Sequence, residues 1–330
     1  MSAPQTSARS AETATTDRAS RPSTIARLMP ARVGRPARVL AWLVLISNVV
    51  IVGTGGLVRL TGSGMGCETW PYCTPDSLVP TQELGIHGVI EFGNRTLTGV
   101  LVVIALLAFL AVVRPPRRDL RALTLANGLG IILQAVVGGV VVWLHLPPTL
   151  VGIHFVISAA LVANGAALVA RAYAPGGPRQ LTVSRGFAGL AHATSAAVAV
   201  TVLVGILLTG SGPHAGDNLA ARNGLDPVLW QHIHSWPAYL TFALTVLLLI
   251  GAWRTPDRQR LRLWVGLLLG VEILQIAVGL WQARTGLPIA LVNIHMVLAV
   301  SLVAAMTAVI MHLKRPVLSQ GEAERSTAIS

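Results

Sequence analysis

Asn94, His154, His234 and His295 combine residue type and spacing in a way that suits metal chemistry. Each sits inside an apolar stretch, where imidazole groups are rare and usually functional. His234 and His295 are separated by the same length of chain as Asn94 and His154, to within one residue. Two helices that each offer an imidazole to a bundle interior can clamp a haem iron from both sides. Polar glue between helices, the bland reading, accounts for one such histidine better than for a matched pair. The pair His234 and His295 makes a six-coordinate iron, suited to electron transfer. His154 is matched by an amide, Asn94, which is a poor haem ligand. That half therefore offers an open iron position, suited to oxygen activation or to a porphyrin substrate.

Glu91 lies three residues before Asn94 on the same helical face, and His87 lies one turn earlier. A carboxylate in an apolar span is costly without a partner or a task. Arg95 supplies either an ion pair to Glu91 or a two-pronged contact to a haem propionate. Arg59 is a second propionate candidate. His232 neighbours His234 but points about 100° away around the helix. No role is assigned to His192, His214 or His312.

These residues need rigid spans to position them. Of the 330 residues, 53% are hydrophobic and only 12% charged, about half the charge of an average soluble domain. Ordinary soluble enzymes and disordered chains are excluded, which leaves an all-α polytopic membrane protein in a lipid bilayer. Eight apolar runs are expected at 38–58, 85–113, 122–143, 149–171, 186–208, 228–252, 262–282 and 289–312. The net charge of +12 comes from arginines clustered between these runs. That is a topology signal rather than a nucleic-acid surface. Arg114, Arg117, Arg118 and Arg121 follow the second run, with further clusters after the fourth, sixth and eighth. The positive-inside rule then places both termini in the cytoplasm and the 59–84 loop outside. Cys67 and Cys73 lie in that loop, on the oxidising side, which favours a disulfide over two idle thiols.

The chain also repeats itself. "ILQAVVG" at 132–138 and "LVGIHFVISAALVA" at 150–163 return as "ILQIAVG" and "LVNIHMVLAVSLVA", both displaced by 141 residues. "TGSG" at 61–64 recurs at 209–212. Four spans per repeat leave the halves in one orientation, related by an axis along the membrane normal. The expected plan is two tandem pseudo-symmetric four-helix bundles. It comprises a disordered cytoplasmic tail at 1–37, an N-terminal bundle at 38–171, a linker at 172–185, a C-terminal bundle at 186–312 and a tail at 313–330.

With these residues in hand, the sequence resembles the haem A synthase family over about 38–312. The strongest pieces are "GGLVRLTGSGMGCETWPYC" at 55–73, "IEFGNRTLTG" at 90–99, "IHFVISAALV" at 153–162, "QHIHSW" at 231–236 and "NIHMVLAV" at 293–300. The resemblance implies a b-type haem held by His234 and His295. It implies haem O as substrate in the N-terminal half, with His154 as a ligand and Glu91 essential. The implied reaction oxidises a ring methyl of haem O, through an alcohol, to the formyl of haem A for terminal oxidase assembly. The cysteine pair matches that of the family's first outer loop. Many members have a histidine where Asn94 stands, so the second ligand of the substrate haem is open, with His87 and His145 as substitutes. A haem O synthase and cytochrome oxidase are the implied partners, and an electron donor is required. The competing expectation is a di-haem membrane cytochrome fed by quinol; a repeat-built transporter and a structural respiratory subunit fit less well.

Overall fold

The computed structural model describes residue 30 and residues 32–255 and 258–317. The tail expected over 1–37 lies outside these residues except for its last few, as does most of 313–330. Eight helices are each long and apolar enough to cross a membrane. They are α1 (Arg35–Leu60), α2 (Gly85–Val112), α3 (Arg118–Trp143), α4 (Pro148–Ala172), α5 (Arg185–Ser211), α6 (Pro227–Trp253), α7 (Gln259–Arg284) and α8 (Ile289–Met311). Most run a few residues beyond the apolar stretches that announce them, because helical hydrogen bonding continues past the hydrocarbon.

Local chemistry sets the helix starts. Prolines stand in the first turns of α1, α4 and α6, where their missing N–H costs nothing. Asp226 caps α6 by accepting from the Val228 and Leu229 amides at 2.8 and 3.2 Å, and Ser184 caps α5 through the Phe187 amide. Gly62, with φ of +70°, turns the chain out of α1 in a backbone region that favours glycine.

In the first half, α1 packs on α2 and α4, and α3 closes the ring between α2 and α4. In the second half, α5, α6, α7 and α8 close a like ring. α8 also packs against α1 and α4, and α4 against α5, which joins the halves. Glycine makes the α1–α8 approach close: a Cβ on Gly56 would stand 2.3 Å from Asn293 Oδ1, and one on Gly53 3.2 Å from Val297. Val52, Ala159, Val162 and Val300 form the apolar seam between the halves. Large apolar side chains such as Leu106, Ile132, Leu247 and Ile273 face outward, a surface that suits hydrocarbon and not water.

One element goes beyond the expected plan. The linker after α4 and the segment after α8 pair as β1 (Arg179–Leu181) and β2 (Lys314–Pro316), antiparallel, with Gln180 opposite Arg315. Arg258 donates to the Thr182 carbonyl beside them. Strands of three residues carry no readable periodicity.

Candidate functional site

His234 on α6 and His295 on α8 face each other across the second ring. Their ring centroids are 6.5 Å apart and their planes inclined at 72°. Two imidazoles that share one metal, with metal–nitrogen bonds of about 2 Å and ring centres about 1 Å behind, sit about 6 Å apart. Both Nδ1 atoms are buried and lack a hydrogen-bond partner, a costly state that marks a site built for another group. Each ring lies edge-on to a glycine of the preceding helix: a Cβ at Gly205 would be 2.9 Å from His234 Cε1, and one at Gly279 3.0 Å from His295 Cε1. Gln275 on α7 donates to the His295 carbonyl at 3.1 Å.

The first half repeats half of this arrangement. Gln134 on α3 donates to the His154 carbonyl on α4, also at 3.1 Å. A Cβ at Gly138 would stand 3.5 Å from His154 Cε1. His154 Nδ1 is likewise buried and unpartnered. Gln134, Gly138 and His154 thus correspond, one repeat apart, to Gln275, Gly279 and His295. Gln134 makes a further contact to Ser158 Oγ at 2.5 Å. Opposite the His234 position, Asn94 accepts from Thr54 of α1 at 2.7 Å, so its amide oxygen is held within the protein.

Glu91 is buried and both of its oxygens are taken. Oε2 accepts from the Cys67 amide at 2.7 Å. Oε1 accepts from Arg95 Nε at 3.1 Å and Nη2 at 2.5 Å. The rest of the Arg95 guanidinium serves the loop between α1 and α2: Nη1 donates to the Thr69 and Tyr72 carbonyls and Nη2 to that of Cys67. Of the two expectations for Arg95, the ion pair is what forms; all five N–H groups are used, so none remains for a propionate. Cys67 and Cys73 are disulfide-bonded. Trp70, between them, covers Gly139 and meets Trp143 edge-on at 5.8 Å.

His87 is held by Ser63, whose Oγ lies 2.9 Å from its Nδ1. Arg59 is tied to the loops of the second half: its Nε and Nη2 donate to the His214 and Thr209 carbonyls, both at 2.9 Å. His214 in turn meets the Leu287 carbonyl at 3.0 Å through Nε2. This residue ties the α5–α6 and α7–α8 loops together.

Sequence reasoning passed over Gln134, Gln275 and the glycines against the imidazoles. The signal for Gln134, Gln275, Gly138 and Gly279 was present, because "ILQ" and the following glycine recur at the same displacement as the histidines, whereas Gly205 lies outside that motif. Ser63 was announced by the recurrent "TGSG". Thr54 and Glu272 carried no motif.

Two like four-helix rings, with buried imidazoles lacking partners, define a multi-pass membrane protein that grew by repetition of one unit. Residues 38–307 match the COX15-CtaA model, described as cytochrome oxidase assembly protein, and the chain belongs to that family. A heme A synthase of Halalkalibacterium halodurans is 27% identical over 296 residues, covering 85% of this chain and 98% of that one. One from Exiguobacterium sibiricum is 32% identical over 130 residues, 38% of this chain and 43% of its own. One from Alkalihalophilus pseudofirmus is 31% identical over 149 residues, 43% of this chain and 49% of its own.

Proposed function

We propose that this protein is a haem A synthase, converting a ring methyl of haem O through an alcohol to the formyl of haem A, for assembly of a terminal oxidase. The relatives' name supports this reading. The observation that carries it is the asymmetry between the halves: His234 faces His295 across a shared gap, whereas His154 has Asn94 at the matching place. The second half holds a resident b-type haem, on the two imidazoles. The first half takes haem O, with His154 as its protein ligand.

Bound haem supplies the oxidising and electron-carrying chemistry that side chains lack. The chain's own residues supply position. Gln134 and Gln275 fix the helices that carry the ligands, and Gly138, Gly205 and Gly279 leave room for the rings. His87, oriented by Ser63, stands on the outer side of the substrate half as a second polar contact. Glu91 serves by holding Arg95 and, through it, the disulfide loop over that half; release of Arg95 would free its carboxylate to carry a proton. Electrons come from an external donor. The arginine-rich ends of the helices face the cytoplasm, with both termini, and the disulfide loop faces out. The bilayer is the cell membrane, and haem O synthase and cytochrome oxidase are the neighbours that would deliver substrate and receive product.

The test is extraction and chromatographic identification of the haems in the purified protein, beside His154→Ala and His234→Ala. Loss of haem B with His234 and of haem O or A with His154 supports a synthase. The repeated Gln–Gly–His arrangement favours a second reading, a di-haem cytochrome, and haem B at both sites would establish it instead.

A further inference from the structure

Glu272 lies in the middle of α7 and is 4% exposed. Its Oε1 accepts from Thr245 of α6 at 2.7 Å, and its Oε2 is buried with no partner. A carboxylate so placed is expensive unless it works.

Comparison of the halves shows what is special about it. One repeat earlier, Ile131 stands in its place, and Leu101 and Ala105 stand where the second half has Thr241 and Thr245. Leu101, Ala105 and Ile131 pack together in an apolar cluster with Leu161. The second half has replaced all three by polar groups, while Leu302 keeps the place of Leu161. The polar line leads toward the imidazole pair. Thr241 and Thr245 are one turn apart on α6. Thr241 Oγ1 lies 3.1 Å from Thr201 Oγ1, and Thr201 stands one turn before Gly205, the glycine that backs the His234 ring. On α7 itself, Glu272 is three residues, about 4.5 Å of rise, before Gln275, which holds the His295 carbonyl.

We propose that Glu272 takes up one proton from hydronium in the solvent, an O–H bond breaking there as one forms at Oε2, for each electron that an external one-electron reductant delivers to the haem between His234 and His295. This rests on the reading that a haem is held there. An electron added in a low-dielectric interior raises the cost of a nearby unpaired carboxylate charge, and a proton on Glu272 removes that charge. The other titratable groups on the packed helices are His232, His234 and Tyr239 on α6 and His295 on α8, with His312 just past its end. Thr245 is the polar group that meets Glu272. The arginines of α7 stand at its two ends, Arg260, Arg262 and Arg284.

The experiment is a spectroelectrochemical titration of the purified holoprotein across the neutral pH range, with quinone mediators as donors. In the wild type the reduction equilibrium should fall up to tenfold per pH unit, about 59 mV for one electron. Glu272→Gln should flatten that dependence. Glu272→Ile, which copies the other half, should do the same and guards against a misfolded first variant. A slope that survives in both variants, or a wild type with no slope, overturns the proposal. A wild type that purifies without haem at His234 and His295 overturns the cofactor reading itself, an outcome visible in the starting spectrum.

Discussion

Arg95 reaches one turn back along α2 to Glu91 and, with the same guanidinium, forward to the carbonyls of Cys67, Thr69 and Tyr72. An ion pair inside a span thereby becomes the anchor of a loop outside it. Cutting the anchor should free the loop. Glu91→Ala leaves Arg95 with its loop carbonyls but without its counter-ion, and losing hydrogen bonds to a charged group costs about 1.5–3 kcal/mol. We expect a lower melting temperature and faster alkylation of Cys67 and Cys73 under mild reductant than in wild type. Glu91→Gln should show the same change, smaller. Conversion to the formyl product should fall in both; full conversion in Glu91→Gln would remove Glu91 from the reaction.

The glycines behind the imidazoles should be intolerant in proportion to their clearance. A side chain at Gly205 or Gly279 begins 2.9 or 3.0 Å from a ring atom, which forces the ring to move. Gly205→Val and Gly279→Val should lose the low-spin absorbance of a two-histidine haem. Gly138→Ala, with 3.5 Å to His154, should keep its haem complement. Equal tolerance at all three would mean that the rings are not held edge-on.

Asn94 invites the opposite experiment. Asn94→His restores, in the first half, the imidazole that the second half has at His234. The haem of the substrate half should then be retained more completely through purification and gain a low-spin electron-spin resonance signal. An unchanged signal would show that α2 does not present position 94 to that haem.

The seam between the halves depends on Gly56. Overpacking of this kind costs about 1–3 kcal/mol, so Gly56→Val should lower the melting temperature. The Cβ would strike Asn293 Oδ1, at 2.3 Å, so Asn293→Ala should recover part of the loss in the double variant. An additive double variant would locate the strain elsewhere.

Much of this was readable from residues alone. The eight spans follow from unbroken apolar length, and the two-ring plan from the 141-residue repeat. The imidazole pair was legible because histidines are conspicuous in apolar runs. Arg59 and Arg95 were not legible in direction. A guanidinium at a span end can meet a propionate or a loop carbonyl, and only the path of the loop decides. Glu272 escaped because one carboxylate does not disturb an apolar window; it becomes visible when the halves are laid over each other and Ile131 appears in its place. The β1–β2 pairing joins segments about 135 residues apart, and no local pattern announces such a contact.

α8 carries His295 and also packs against α1 and α4 of the other half. It leaves the ribosome after the other seven. Until it arrives, the second ring lacks one of its two imidazoles, and the first half lacks the helix that lies on its inner seam. Completion of both halves is therefore a single late event. A chain stalled or truncated before Ile289 would fail in both halves together, rather than leaving the first one finished.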